Sequence, residues 1–213
     1  MDLVTPLSTI APGLESAALT VLVGTDTALS ATQIQRVAGR GSRYGLVLAL
    51  ERLAGHGIVT AIPASRGSLY RLNREHVLAP VVTAAVRARS DADHRIAEAV
   101  DDLDPKPLSA ALYGSVARSE ATPDSDIDLL VIGADGLDPD VETWTQQIND
   151  LERRARSWTG NPLQTVTVTR AQLALMAANK ARIVDEWEHD VSTITGQDAR
   201  VLIRAARKDA EAL

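Results

Sequence analysis

The chain has 213 residues, of which 45% are hydrophobic and 23% charged, and it contains no cysteine. This composition is typical of a globular protein, and the lack of cysteine excludes disulfides, thiolate zinc sites, iron–sulfur clusters and a cysteine nucleophile. We find no run of about 18 apolar residues and no signal-peptide pattern, so we expect a cytoplasmic protein that does not contact a membrane.

The net charge of −6 is distributed unevenly along the chain. Between Thr27 and His76, seven arginines stand against two glutamates, a local charge of +5, so the remainder carries −11. A basic segment in an acidic protein is typical of a nucleic-acid-binding surface, and a solvated arginine-rich surface is the alternative. The seven are Arg36, Arg40, Arg43, Arg52, Arg66, Arg71 and Arg74.

In the first third of the chain, the pattern predicts three helices and then a hairpin of two strands. In chain order these elements cover Glu15–Val23, Ala31–Ala38, Arg43–His56, Ile58–Ile62 and Ser68–Leu72. Ser30 and Ser42 are in position to cap the second and third helices, and Gly57 is in position to end the third.

The order of elements over Ser30–Leu72 resembles the winged helix-turn-helix domains of small bacterial transcription regulators. In that family the helix after the turn enters the major groove of double-stranded DNA, and the hairpin touches the backbone or the minor groove. The resemblance implies DNA binding, for which arginine is suited because its fork matches guanine edges and phosphates. A winged fold used for protein contact is the alternative. The residues assigned to DNA are Arg40, Ser42, Arg43, Tyr44 and Arg66.

A helix is expected to connect this segment to a second domain. It extends from Arg74 to about Asp102, is capped by Asn73 and is interrupted at Pro80. The acidic, proline-containing segment that follows marks a boundary. The expected divisions are a winged domain over residues 1–78, a connector helix and linker over 79–107, and a second domain over 108–213.

Two aspartates lie at the start of an apolar strand. Gly114-Ser115 is followed, after ten intervening residues, by Asp126-Ile127-Asp128 and then by Leu129-Leu130-Val131-Ile132. Residues i and i+2 of a strand point to the same face, so Asp126 and Asp128 project together, about 6.6 Å apart along the strand. Paired carboxylates suit Mg²⁺ or Mn²⁺, whose coordination is completed by water and substrate phosphates.

The residues before the aspartates favour a phosphate. A short apolar strand, Leu108–Leu112, precedes Gly114, which lets the backbone turn tightly beside a ligand. Ser115 opens a helix whose free N–H groups and positive end favour an anion, and Arg118 adds a charge-assisted contact. Together with the aspartates, these residues predict a site for a metal-bound nucleoside triphosphate.

The same residues match the signature of the DNA polymerase β-like nucleotidyltransferase superfamily and resemble in particular its minimal, antitoxin-like branch. The resemblance implies an α/β (α+β) fold, with a small mixed sheet and C-terminal helices. It also implies Mg²⁺-dependent transfer of a nucleoside monophosphate to a hydroxyl of a protein, RNA or small molecule. Asp126 and Asp128 are its catalytic and metal-binding residues, and Gly114, Ser115 and Arg118 bind the nucleotide.

The resemblance further implies a helix over Val141–Trp158, ended by Gly160, and a third strand over Leu163–Val168. Three more helices follow, over Arg170–Ala178, Ala181–Glu188 and Gln197–Leu213. Trp144, Trp158 and Trp187 are interpreted as core residues. His189-Asp190 is interpreted as an exposed helix end, with a metal pair as the alternative.

The third strand lacks an expected residue. In active members of the superfamily, a third carboxylate on this strand helps to bind the metal and prepares the acceptor hydroxyl. Here Gln164, Thr165 or Thr167 occupies the expected place, and none of these is a general base near neutral pH.

Three hypotheses follow for the function. The first is an active nucleotidyltransferase. The second is a catalytically weak or inactive transcription regulator that senses a nucleotide, for which a homodimer is expected because palindromic sites mirror a two-fold axis. The third is an antitoxin that covers a partner protein encoded nearby.

Overall fold

A computed structural model of the protein describes residues 1–65, 67–134 and 136–211. The chain divides into two compact units. The N-terminal unit comprises Asp2 and Val4–Arg89, and the C-terminal unit comprises Met1, Leu3 and Ser90–Leu213. Within the described residues, no helix has both the length and the apolar character that crossing a membrane requires.

The N-terminal unit consists of helices and a small antiparallel sheet with the strand order β1-β3-β2. Its elements are a 3-10 helix Pro6–Thr9, α1 Leu14–Val23, β1 Leu29–Ser30, α2 Ala31–Ala38, α3 Arg43–Gly55, β2 Val59–Ala64 and β3 Gly67–Leu72. The three predicted helices and the hairpin are therefore confirmed. The two-residue strand β1 was not predicted, and it pairs with Leu69 and Tyr70 of β3.

Local capping explains where the helices of this unit begin. Ser30 forms a capping box with Gln33: the Gln33 N–H donates to Ser30 Oγ (3.3 Å), and the Ser30 N–H donates to Gln33 Oε1 (2.8 Å). Ser42 Oγ accepts from the Gly45 N–H at 3.0 Å and so caps α3. Gly39 ends α2 in the left-handed conformation, with φ of 65°.

The connecting helix α4, Ala79–Asp101, begins later than the sequence predicts. The predicted start at Arg74 is wrong, because residues 74–78 form turns. Asn73 holds these turns: its Nδ2 donates to Gly57 O (2.9 Å), and its Oδ1 accepts from the Glu75 N–H (3.2 Å). Pro80 is the second residue of α4, where its missing N–H removes no helical hydrogen bond. Pro80 therefore belongs to the first turn of the helix and does not interrupt it.

The C-terminal unit contains a four-stranded mixed sheet with the order β6-β5-β4-β7, in which β5 and β6 are parallel and the other pairs antiparallel. After α4, its elements are β4 Ser109–Tyr113, α5 Gly114–Ala117, β5 Ile127–Gly133, α6 Glu142–Thr159, β6 Leu163–Thr169, α7 Arg170–Ala178, α8 Arg182–Asp190, β7 Ser192–Gly196 and α9 Ala199–Glu211. The expected small mixed sheet and C-terminal helices are confirmed. The strand β7 was not predicted.

The two faces of this sheet are covered by different helices. On one face, Ile127, Leu129 and Val131 of β5 pack with residues of α4 and α6, including Trp144. On the other, Leu130 and Ile132 pack with residues of α7, α8 and α9, including Trp187. Trp144 and Trp187 are core residues as predicted, and the half-buried Trp158 lies under the guanidinium of Arg154 at 5.2 Å. Because side chains alternate, Asp128 lies on the face of Leu130.

Candidate active site

The two aspartates stand at the beginning of the central strand β5. Asp126 immediately precedes the strand and is exposed, and Asp128 is its second residue and is half-buried. Burial and the negative charge of Asp126 raise the pKa of Asp128, and Arg118 acts in the opposite direction. The two carboxylates therefore interact, as the spacing in the sequence predicts.

Gly114 lies directly against Asp128. The antiparallel pairing of β4 with β5 places Tyr113 opposite Asp128, so the next residue turns beside its carboxylate. Gly114 has φ of 68°, and a Cβ at this position would lie 2.5 Å from Asp128 Oδ2. Both the backbone conformation and the lack of space require glycine here.

Ser115 is half-buried within α5, a helix of only four residues. Its carbonyl accepts from the Glu120 N–H at 2.8 Å, which closes the loop after the helix. Its hydroxyl has no hydrogen-bond partner within the described residues, so Ser115 Oγ is available to a ligand.

Arg118 forms ion pairs on two sides. Its Nε lies 2.8 Å from Glu120 Oε2, and its Nη1 pairs with Asp190 Oδ2 at the end of α8. The Asp190 side chain is only 9% exposed, so the interpretation of residues 189–190 as an exposed helix end is wrong for Asp190 and correct for His189. The described contacts of Arg118 use Nε and Nη1, which leaves Nη2 for a phosphate oxygen.

The third strand presents a glutamine beside Asp128. In the parallel pairing of β5 with β6, Gln164 is the direct partner of Asp128, so both side chains lie on one face. Thr165 and Thr167 point to the other face, where the indole N–H of Trp144 donates to Thr167 Oγ1 at 3.2 Å. Of the three alternatives from the sequence, Gln164 is the residue at the position next to the aspartates.

A tyrosine and a tryptophan lie on the same face as Asp128. The rings of Tyr113 and Trp187 meet edge to face, with centroids 6.0 Å apart and an interplanar angle of 78°. Burial raises the pKa of Tyr113, and the charges of Asp128 and Glu186 raise it further. The Tyr113 phenol is therefore protonated at neutral pH and does not replace the missing base.

The donor set can supply part of the coordination of a divalent cation. Asp126 and Asp128 are hard oxygen ligands whose mutual repulsion a cation would relieve. No group of three or more His, Cys, Asp or Glu side chains suited to a metal occurs in the described part of the chain. A bound Mg²⁺ or Mn²⁺ would therefore take its remaining ligands from water and from substrate phosphates.

Four of the five residues assigned to DNA lie in the N-terminal unit, around the turn before α3. Arg43 and Tyr44 are exposed in the first turn of α3, and Ser42 caps this helix. Arg40 donates from Nη2 to Ser16 Oγ at 3.1 Å. Arg66 lies outside the described residues.

The raised pKa of Asp128 predicts a pH-dependent effect of its neutralisation. A carboxyl whose pKa is higher in the folded than in the unfolded protein contributes stability that is lost as the pH rises through its folded pKa. We expect Asp128→Asn to raise the Tm of the metal-free protein at pH 7, and the difference to shrink as the pH falls to about 3, below the ordinary pKa of an aspartate.

Thermal unfolding followed by circular dichroism at the two pH values measures this effect. Asp140→Asn, on an exposed loop, is the matched control and should leave the Tm unchanged. An Asp128→Asn protein that is less stable than the wild type at pH 7 would contradict the electrostatic account.

Comparison with known proteins finds a family match for part of the chain. The family model of the nucleotidyltransferase domain matches residues 94–195, which include both aspartates and Gly114. A crystal structure of a mutant of the toxin–antitoxin MntA-HpeT has 16% sequence identity and a TM-score of 0.39, and the alignment covers 56% of this chain and 84% of that chain. A crystal structure of the toxin–antitoxin with AMP-PNP has 17% identity and a TM-score of 0.40, with the same coverage of 56% and 84%. No curated protein matches the sequence. Residues 94–195 of this chain are therefore similar to a nucleotidyltransferase domain.

Proposed function

We propose that the chain binds a nucleoside triphosphate together with Mg²⁺ or Mn²⁺ at Asp126 and Asp128, and that it transfers the nucleoside monophosphate slowly to a hydroxyl. The observation that carries the proposal is the arrangement of two interacting carboxylates beside a glycine turn. Because Gly114 has no Cβ, the turn can lie directly against the carboxylate of Asp128. The hydroxyl of Ser115, which has no hydrogen-bond partner in the described part of the chain, and the Nη2 of Arg118 support a triphosphate at the same place. The acceptor is a hydroxyl of a protein, RNA or small molecule.

The transfer is a substitution at the α-phosphorus. The acceptor oxygen forms a bond to this phosphorus, the bond from the phosphorus to the bridging α,β-oxygen breaks, and pyrophosphate leaves with the electron pair. When bound at the two aspartates, the cation neutralises the charge that develops on the phosphate oxygens. Ser115 and Arg118 orient the triphosphate by hydrogen bonds from Oγ and Nη2.

The proposed rate is low because Gln164 takes the position beside Asp128. Its amide neither accepts the proton of the acceptor hydroxyl near neutral pH nor adds negative charge to the metal site. The proton therefore passes to solvent.

The alternative function is that of a nucleotide-sensing regulator, or of an antitoxin that contacts a partner protein. In either case the domain binds a nucleotide and transfers nothing.

Nucleotide binding should depend on the two aspartates. We expect ATP, GTP, CTP or UTP with Mg²⁺ to bind the wild type in a calorimetric titration, and the double variant Asp126→Ala, Asp128→Ala to lose at least about ten-fold in affinity, as metal-ligand loss implies. Asp138 and Asp140 form a second Asp-x-Asp sequence, exposed and outside the site, so Asp138→Ala, Asp140→Ala is the matched control. Equal affinities of the two double variants would contradict the proposed site.

A carboxylate at position 164 should strengthen the site. We expect Gln164→Glu to raise Mn²⁺ affinity by about ten-fold and to increase the transfer of labelled nucleotide to acceptors in cell extract, because it adds an oxygen ligand and a base beside Asp128. Gln146→Glu, an exposed residue of α6, carries the same charge change and should alter neither quantity. Increased binding without transfer would favour the nucleotide-sensing regulator.

We also propose that the N-terminal unit binds double-stranded DNA as a winged helix, with α3 in the major groove. The supporting observation is which of its arginines form ion pairs and which do not. Arg52 and Arg74 form ion pairs with Glu15 and Asp26, whereas Arg36, Arg43 and Arg71 have no ion-pair partner among the described residues. Arg43 stands in the first turn of α3 beside Tyr44, which is 73% exposed. An unpaired cation and an exposed ring at a helix start are available to phosphates and base edges.

The turn before α3 is suited to present these residues. Gly41 and Gly45 pack against Leu14 of α1, and a Cβ on either would lie 2.4 Å and 2.8 Å, respectively, from a methyl carbon of Leu14. Gln35 Nε2 donates to Gly41 O at 2.9 Å and fixes the turn. Ser42 accepts a hydrogen bond as the cap, so its hydroxyl proton is available to a phosphate.

DNA binding should weaken when Arg43 is removed. We expect Arg43→Ala to lose about 1–3 kcal/mol of binding free energy on DNA from upstream of its own coding sequence, and wild-type affinity to fall steeply with salt. Arg87→Ala removes an exposed arginine of α4 and is the control for net charge. Fluorescence anisotropy measures both. Equal losses in the two variants, or no preference over scrambled DNA, would contradict DNA reading by α3.

A further inference from the structure

A buried asparagine holds the loop that leads into the aspartates. Asn161 lies in the turn between α6 and β6 and is 2% exposed. Its Nδ2 donates one hydrogen bond to Pro123 O (3.1 Å) and another to Ser125 O (3.0 Å). Its Oδ1 accepts from the nitrogen of Met1 at 2.6 Å. Both amide protons are thus committed to a loop that is 36 to 38 residues away in the sequence.

The next residue of the same turn secures the other side of Asp126. Pro162 O accepts a hydrogen bond from the Ile127 N–H at 2.8 Å. The carbonyl before Asp126 and the amide after it are therefore both bound by consecutive residues of one turn. This turn is itself anchored: Gly160 ends α6 with φ of 78°, and the Asn161 N–H donates to Thr159 Oγ1 at 3.1 Å.

Asp126 itself has little else to hold it in place. Its carboxylate is exposed and makes no hydrogen bond or ion pair with the residues described. Asp128 lies on the same face of β5 and repels it, which favours movement of Asp126 away from the strand. A cation that uses both carboxylates requires their oxygens within about 2.1 Å of one point, so a small displacement of Asp126 removes one ligand.

We propose that Asn161 is a positioning residue of the metal site, which keeps Asp126 next to Asp128 through its two hydrogen bonds to Pro123 and Ser125. This inference rests on the proposed function, because it assumes that the two aspartates bind a divalent cation. Asn161 itself does not touch the cation or the nucleotide. It acts through the backbone of the loop.

The test measures Mn²⁺ binding to the full chain by electron paramagnetic resonance, with no nucleotide added. We expect Asn161→Ala to weaken Mn²⁺ binding about ten- to a hundred-fold, the range for the loss of an outer-shell hydrogen bond to a metal ligand. Asn161→Ser keeps a single short donor and should give a smaller loss. It also serves as the second variant if Asn161→Ala does not fold.

Gln147→Ala is the matched control. Gln147 also uses its side-chain amide to hold a backbone segment, through bonds of 2.8 Å to Asp104 O and 2.9 Å from the Asp104 N–H, but that segment does not lead to the aspartates. A Tm measured for each variant separates loss of stability from loss of metal. Gln147→Ala should leave Mn²⁺ affinity unchanged even where it lowers the Tm.

The outcomes distinguish this inference from the proposed function. If the wild type binds Mn²⁺ in a way that Asp126→Ala abolishes, and both Asn161 variants retain wild-type affinity, the positioning role is overturned and the metal site stands. If the wild type shows no Mn²⁺ binding that depends on Asp126, the metal site is overturned and the role of Asn161 falls with it.

Discussion

The repulsion between Asp126 and Asp128 is the constraint around which the residues of the candidate site are arranged. The alternation of side chains along β5 places both carboxylates on one face, and partial burial of Asp128 makes the repulsion stronger than it would be in water. The residue that follows the antiparallel partner β4 is Gly114, and glycine is the one residue type that leaves room for Asp128 at that point. The turn at Asn161 and Pro162 fixes the chain on both sides of Asp126.

Arg118 reduces this repulsion only in part. It lowers the pKa of Asp128, yet its own Nε and Nη1 are bound to Glu120 and Asp190. Glu120 is 65% exposed and is hydrated easily when released, whereas Asp190 is almost covered and depends on the arginine for its counter-charge. The guanidinium is therefore anchored by Asp190 near the aspartates, and a phosphate that approaches from solvent competes with Glu120 first.

Local signals in the sequence predict much of this arrangement. In the structure, Thr169 and Gln172 form a capping box that starts α7, and Gly160 ends α6. The bounds implied by the family resemblance agree with the structure for α7 and to within one residue at each end for α6. The pairing of Asp126 with Asp128 follows from strand alternation alone. The strand β7 does not follow, since Ser192–Gly196 contains a single large apolar residue, and its conformation depends on pairing with β4.

Asp190 and Asn161, whose contacts the sequence does not predict, each bind a residue that is far away in the sequence. Asp190 is 72 residues from Arg118, and Asn161 is 36 residues from Ser125. Asparagine is common after a glycine that ends a helix, so the sequence does not single out Asn161. A carboxylate near the end of a helix is expected to be exposed, so the sequence does not predict the burial of Asp190. Only the tertiary fold distinguishes them, because each acts through a contact with a backbone or side-chain group that is distant in the sequence.

The register of β5 and β6 also bears on the proposed difference between nucleotide binding and nucleotide transfer. Gln164 replaces the third carboxylate at the position directly opposite Asp128, and an amide there adds no further negative charge to the pair. A third carboxylate would increase the repulsion in the metal-free protein as well as the affinity for a cation. With glutamine, the proposed site has two oxygen ligands and the proposed phosphate contacts but lacks a base for the acceptor. Since positioning and charge neutralisation dominate phosphoryl-type transfer, the proposed site would retain the larger part of the catalytic arrangement and would lack the part that depends on proton removal.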